Sequence, residues 1–471
     1  MFIGRETELG TLERLYRHKG FRMAVVYGRR RVGKTALLSE FCRGKQALFF
    51  TAQQKNTTAN LRVFSRQVYE FLGLPASTPP LPSWDEALSY FAQRLEESGQ
   101  HVVFVFDEFP YAAEADPSLP SIMQIAIDHQ FSKTNTCLIL CGSNESFMEG
   151  KVLGSKSPLY GRRHAQIRLR PFNYYDAAQF VPGLSPEDRV TCYAAFGGTP
   201  YYLEQFDADM SLAENIEALF FDLSGTLYAE PQMLLRQELR EPAVYASVLD
   251  AVGSGATVPK QIAERAGVDE NAIGSYLAAL VRLDILQRIV PFGENPSRSR
   301  KGRYSIKDPF FAFWYRFVSP STGAIEQGLG RAVARQALEK SSLSEYVGHQ
   351  FENVCMQWVV RRALSGLLPF LPTEFGRWWG TDPSLREQVD VDVVAASSAE
   401  RRLLVGECKW RGSFNETEAV KTLERRARLL GDYDKVDHVL FMKGDPSPET
   451  ARKAAERDDL EIVTAEDLYS G

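Results

Sequence analysis

Apolar and polar positions along the chain fall into three patterns, and each predicts a different kind of element. Continuous apolar runs at residues 23–27 (MAVVY), 101–106 (HVVFVF) and 136–141 (TCLILC) predict strands buried on both faces, as in a parallel sheet covered by helices. Shorter strand-like runs lie at residues 46–51 and 166–169. Apolar residues at helical spacing predict helices around Leu12 and Leu15, and at residues 36–41, 59–72 and 84–97. The proline-dense segment 75–82 (PASTPPLP) predicts a surface loop. Beyond Phe172 the pattern turns mainly helical until residues 196–203, where Pro200 follows Gly197 and Gly198.

The middle of the chain predicts three short helices, residues 244–251, 257–267 and 271–283, followed by a hairpin with arms 286–291 and 303–306. This is a winged helix by pattern, and its tip holds Arg298, Arg300, Lys301 and Arg303. Asp269 and Glu270 lie beside the reading helix, so a structural or protein-binding role fits as well as DNA reading. An aromatic stretch, residues 308–317, predicts a packing helix, and residues 346–362 a longer helix containing Glu352. Alternation then predicts strands at 376–380, 388–394 and 403–410. It places Asp390 and Asp392 on one face of their strand, and Glu407 and Lys409 on one face of theirs.

Length and charge limit what these elements can do. A chain of 471 residues holds roughly two to four domains. No apolar run approaches the ~20 residues of a membrane span, and no secretory leader is evident, so no membrane partner and a cytoplasmic location are expected. The net charge of −5 requires any nucleic-acid contact to come from a local basic patch. The six cysteines have no zinc-ligand spacing and are expected to be reduced core residues.

Chemistry concentrates where strands end. Residues 28–35 read Gly-x-x-x-x-Gly-Lys-Thr between an apolar strand and a helix, the context of a phosphate-binding loop. The stretch Gly28, Arg29, Arg30, Arg31, Val32, Gly33, Lys34, Thr35 and Ala36 would wrap the phosphates of ATP, with Lys34 on the outer phosphates and Thr35 on Mg²⁺. Asp107 and Glu108 end the second strand. The first suits the Mg²⁺ shell and the second the attacking water, while acidic capping of a loop would use the same residues. Ser143 or Asn144 can reach the γ-phosphate from the third strand end, a place where asparagine is also an ordinary turn residue. Arg162 and Arg163 stand where an arginine finger would act, in cis or toward a neighbouring subunit, or form an exposed basic turn. Asp390, Asp392 and Glu407 on adjacent strands can bind Mg²⁺, with Lys409 offsetting phosphate charge.

Together FIGRETEL, GRRRVGKT, VFVFDEF, GSN, LYGRR and GGTPYYL resemble a clade of archaeal and bacterial AAA-related ATPases of the STAND and origin-recognition groups. The resemblance covers about the first half of the chain. It implies that Arg5 lies beside the nucleotide, that Asp107 and Glu108 form the Walker B pair, and that Pro200 sits in a lid touching adenine or ribose. The order helical Glu, strand Asp, then Glu-Cys-Lys resembles the PD-(D/E)XK nuclease superfamily over about residues 346–440, and points to Glu352, Asp392, Glu407 and Lys409. Asp390 stands where those relatives often have glutamate.

The expected fold is α/β. A P-loop ATPase core spans residues 1–172, a helical lid 173–238, a winged helix 239–318, and a restriction-endonuclease-like domain with its connector 319–471. The expected function is an ATP-binding and ATP-hydrolysing, DNA-associated switch that controls a fused Mg²⁺-dependent nuclease. Nucleic acid would bind at the winged helix and the C-terminal domain, and ATP would drive homo-oligomerisation. The alternative is a STAND-like regulatory or signalling ATPase whose C-terminal domain only binds nucleic acid or a protein.

Overall fold

The computed structural model describes residues 2–75 and 77–470. The chain divides into two compact units, one ending at Pro171 and the other starting at Phe172.

The first unit is built on five parallel strands: β1 (Arg22–Tyr27), β2 (Ala47–Thr51), β3 (His101–Asp107), β4 (Asn135–Gly142) and β5 (Ala165–Arg168), in the order β2-β3-β4-β1-β5. Side chains alternate along β3, so Val103 and Val105 join a core with Ala24, Leu37 and Phe41. Phe104 and Phe106 face the other side and pack with Phe50, Phe64, Trp84 and Phe91. Both faces are dry, which is why this strand reads as an unbroken apolar run. Helix ends are set locally: Ser83 accepts from Glu86 N at 3.2 Å to start helix Trp84–Ser98, and Gly99 closes it in the left-handed region. The C-terminal ends of β1, β3 and β4 meet at one edge, where α/β sheets bind ligands.

In the second unit, three helices (Pro242–Gly253, Pro259–Ala266, Ile273–Arg282) precede a two-stranded hairpin, β6 (Leu286–Ile289) and β7 (Arg303–Ile306). A second sheet runs β12-β11-β10-β9-β8. Its strands β8 (Glu374–Asp382), β9 (Glu387–Ser397) and β10 (Arg402–Lys409) form an antiparallel meander. Strands β11 (Lys435–Met442) and β12 (Leu460–Thr464) then add in parallel after helices Glu416–Ala427 and Pro448–Ala455.

One apolar core joins the helices after Phe172, the three-helix segment, the aromatic helix and the second sheet; it includes Phe196, Leu280, Phe313, Phe351 and Phe441. Helix Lys340–Leu364 runs through it. The Tyr346 hydroxyl bonds to the carbonyls of Ala194 at 2.8 Å and Pro309 at 3.0 Å, while Trp358 packs edge-on to Phe441. The aromatic stretch is a helix, Pro309–Phe313, continued by a π-helical turn, Trp314–Val318, and Phe310 lies 4.2 Å from Tyr202, centroid to centroid. Among the described residues no helix is long and apolar enough to cross a membrane, and the six cysteines are free thiols.

Gly198 is a tight point in this packing. Its carbonyl accepts from Phe172 N at 2.7 Å, and an added Cβ would overlap the Phe172 carbonyl oxygen. By contrast, Gly274 in helix Ile273–Arg282 has open space around it. Gly198→Ala is therefore expected to lower the melting midpoint by about 5 °C or more, and Gly274→Ala to raise it slightly, as scanning calorimetry would show.

Candidate functional site

The phosphate loop leaves β1 at Tyr27, whose carbonyl accepts from Leu169 N at 2.7 Å. That bond brings β5 so close that a Cβ on Gly28, at φ 154°, would overlap the Leu169 carbonyl. Arg31 and Gly33 both take positive φ, 70° and 90°, which curls the backbone of residues 28–33 before helix Lys34–Cys42 begins. Gly33 at the helix N-cap offers no side-chain acceptor, so the first helical N–H groups face an incoming anion with the positive end of the helix behind them.

Lys34, 6% exposed, donates from Nζ to the carbonyls of Gly28 at 2.8 Å and Arg29 at 3.0 Å. Its ammonium thus sits over the loop's own oxygens. Arg5, at φ 70°, donates to the carbonyl of Val32 at 3.1 Å and to that of Arg170 at 2.7 Å, tying the loop to the chain after β5. Arg30 bonds to the Tyr111 hydroxyl, and Arg29 is buried.

Across the sheet edge, Thr35 Oγ1 lies 3.5 Å from Asp107 Oδ2. A hydroxyl and a carboxylate so placed, with phosphate oxygens opposite, suit the octahedral oxygen shell of Mg²⁺. Asp107 Oδ1 accepts from Glu108 N at 3.0 Å. Glu108 has φ 49°, a costly conformation for a residue with a Cβ, and its Oε2 accepts from Ser143 Oγ at 2.9 Å and Ser143 N at 3.3 Å. Of the two polar residues ending β4, Ser143 therefore orients Glu108, whereas Asn144 caps helix Glu145–Phe147 by accepting from Phe147 N at 3.0 Å.

Arg162 makes a two-pronged bond to Asp128, at 2.8 and 2.7 Å, which holds that carboxyl below the usual carboxylate range. Arg163 is half-buried beside it. Pro200 opens helix Pro200–Leu203 in the second unit and is buried there.

The acidic residues of the C-terminal sheet gather where two strands part. The β9–β10 ladder ends at Val393 and Gly406; one residue further, Asp392 Oδ2 accepts from Cys408 N at 2.8 Å. Glu407, 6% exposed, pairs with Lys409 and with Arg426 at 3.4 Å. Glu352 on helix Lys340–Leu364 pairs with Arg377, and His349 Nδ1 lies 3.5 Å away. Asp390 stands at the rim, exposed, 3.7 Å from Arg426. Burial, then the charges of Glu352 and Glu407, push the Asp392 carboxyl up to about 8. Among the described residues no group of three or more His, Cys, Asp or Glu side chains is placed so that it could hold a metal ion.

The counter-ions Arg377 and Arg426 escape sequence reading. Arg377 hides in an aromatic strand and Arg426 in an ordinary basic helix end, and only the fold brings them to Glu352 and Glu407. The same holds for Asp128 and Tyr111 as partners of Arg162 and Arg30.

Because the folded chain holds a proton on Asp392 that the unfolded chain releases above its ordinary range, this group's contribution to stability falls as pH rises from about 4 to about 8. Asp392→Asn is expected to melt above the native chain at pH 8 in EDTA, with the gap closing toward pH 4. Mg²⁺ should raise the native midpoint at pH 8 and leave that of Asp392→Asn nearly unmoved.

Residues 2–206 match a family described as an ATPase domain predominantly from Archaea, and residues 314–421 match a family of archaeal and bacterial proteins of unknown function. An uncharacterized protein of Methanocaldococcus jannaschii is 28% identical over 447 residues, covering 94% of this chain and 96% of that protein. An uncharacterized ATP-binding protein of the same organism is 44% identical over 46 residues, 10% of this chain and 78% of that protein. Among solved structures, the Walker-type ATPase of Pyrococcus abyssi aligns with a TM-score of 0.48 at 18% identity, covering 67% of this chain and 96% of that one. Residues 2–206 thus carry the match to an ATPase domain found predominantly in Archaea, and behind it residues 314–421 carry the match to a family of unknown function.

Proposed function

We propose that the chain is an ATP-hydrolysing, DNA-associated switch that governs a nuclease-like site in its C-terminal sheet. The observation that carries the nuclease half is the convergence of Glu352, Asp392, Glu407 and Lys409 where β9 and β10 separate, with Asp392 held against two like charges. Such a set favours either a proton or a divalent cation. The αβββαβ order from helix Lys340–Leu364 to β11 agrees with the PD-(D/E)XK resemblance.

At the nucleotide site, Lys34 would exchange the Gly28 and Arg29 carbonyls for the outer phosphates of ATP. Thr35 and Asp107 would hold Mg²⁺, which supplies charge neutralisation for the phosphates. Glu108, oriented by Ser143, would take a proton from water as its oxygen attacks the γ-phosphorus and the bond to ADP breaks. Arg163, or Arg162 released from Asp128, would offset charge as a finger, in cis or from a neighbouring copy. Pro200 would belong to a lid over the base. The three helices and hairpin β6–β7 would act as a winged helix, its tip residues Arg298, Arg300 and Lys301 contacting phosphates.

In the C-terminal site, Mg²⁺ held by Asp392, Glu407 and Glu352, with Asp390 at the rim, would supply charge to the attacked phosphodiester. Lys409 would release Glu407 and turn toward the phosphate. A second reading has its own support: Arg377, Lys409 and Arg426 already neutralise Glu352 and Glu407, as in a domain that binds nucleic acid or a protein without cutting.

Lys34→Ala is expected to abolish ATP binding, and Glu108→Gln to keep binding while kcat falls about 100-fold or more, by calorimetry and phosphate release. The purified chain with Mg²⁺ or Mn²⁺ is expected to cut linear, branched or single-stranded DNA, and Glu407→Ala or Lys409→Ala to stop it. Absence of any such cleavage rejects the nuclease half; nucleotide-dependent DNA binding that survives Asp392→Ala then establishes the second reading.

A further inference from the structure

We infer that hairpin β6–β7 and edge strand β8 together form a binding notch for one unpaired nucleobase beside the acidic cluster. The inference rests on the nuclease-like reading of that cluster and names its substrate class: a strand with an unstacked base rather than intact duplex.

The notch has a volume of about 220 Å³, below the ~300–1,000 Å³ of pockets that engulf whole drug-sized ligands, so it suits a single planar group. Arg303 and Tyr304 line one side; Arg377, Trp379, Glu352 and Asp392 line the other. The walls are fastened to each other. Phe292 N, just past β6, donates to the Arg377 carbonyl at 2.7 Å, and Phe292 and Trp378 both pack against the apolar core that contains Val391. Tyr304 N donates to the Thr257 carbonyl at 2.7 Å, so the second arm is fixed as well.

Within this frame Trp379 is only half-buried and joins none of the apolar cores, while the Arg303 guanidinium lies 4.9 Å from its ring centroid. Trp379 pairs across the strands with Asp390, two residues from Asp392. The exposed guanidinium lies over one face of the indole, so a base would stack on the opposite face or on the guanidinium plane itself, with the charge within reach of the adjoining phosphate. Exposed Arg298, Arg300 and Lys301 continue the positive path along the hairpin tip, Lys301 being paired at 2.7 Å with Glu294. A paired base keeps both faces inside the helical stack, so only an unpaired or flipped base can lie on Trp379. The phosphodiester next to a base seated there falls beside Asp392.

The test uses the full chain carrying Glu407→Gln, in Mg²⁺, so that binding is read without cutting. Fluorescence anisotropy compares a labelled oligothymidylate with a hairpin duplex of equal charge. The single strand is expected to bind more tightly. Trp379→Ala should weaken it about tenfold and leave the duplex and the melting midpoint unchanged, while Trp379→Phe retains most of the affinity. If Trp379→Ala fails to fold, Arg303→Gln takes its place, with a loss of about fivefold expected for the single strand alone. No preference for the single strand, no loss on either substitution, or an equal loss on duplex overturns the inference. Cleavage is read separately with Glu407 restored. Trp379-dependent single-strand binding without cleavage rejects the nuclease reading alone, and cleavage indifferent to Trp379 rejects the notch alone.

Discussion

Helix Lys340–Leu364 has to satisfy an apolar core and an acidic cluster at the same time. Near its start the Tyr346 hydroxyl is enclosed by apolar groups, where an unmet hydrogen bond would cost about 1–3 kcal/mol. It meets two carbonyls, from Ala194 and Pro309, which fixes three distant segments against one another. Further along, Gln357 accepts from Tyr174 N at 3.0 Å and bonds to the Tyr193 hydroxyl at 3.2 Å. Between these two anchors the same helix presents Glu352 to Asp392. The helices after Phe172 therefore cannot shift far without disturbing the acidic cluster. In the proposed switch, that link would couple the helices after Phe172 to the second sheet.

The nucleotide site relies on a different constraint, backbone held in unfavourable conformations. Arg5, Arg31 and Glu108 all take positive φ without being glycine. Two of them are held by side-chain bonds: Arg5 by the Val32 and Arg170 carbonyls, Glu108 by Ser143. Such local costs are met where geometry matters for chemistry. Arg5 thereby acts on the loop through the Val32 carbonyl, a positioning role.

What could be read in the sequence follows from how local the physics is. The runs at β1, β3 and β4 were legible because both sheet faces are dry, and the phosphate loop because its glycines and Lys34 lie within eight residues. The helix with Glu352 and the strands with Asp392 and Glu407 showed through periodicity, although the helix and β9 extend beyond the predicted range and β10 is shifted by one residue. Strands β11 and β12 went unread because their short runs sit among charged residues and gain strand character only by pairing beside β10. The choice between Ser143 and Asn144 depended on a contact with Glu108, 35 positions away. Nor does any local pattern reveal that the helices after Phe172, the three-helix segment and the second sheet share one core.

The central claim is that the nucleotide state sets the activity of the acidic site. The most direct measurement is the initial rate of Mg²⁺-dependent DNA cleavage by Glu108→Gln with saturating ATP, with ADP and with no nucleotide, beside Lys34→Ala. The account predicts a several-fold difference between the ATP and nucleotide-free rates of Glu108→Gln, and a single nucleotide-independent rate for Lys34→Ala. Equal rates for Glu108→Gln in all three conditions, with ATP shown to be bound, would contradict it.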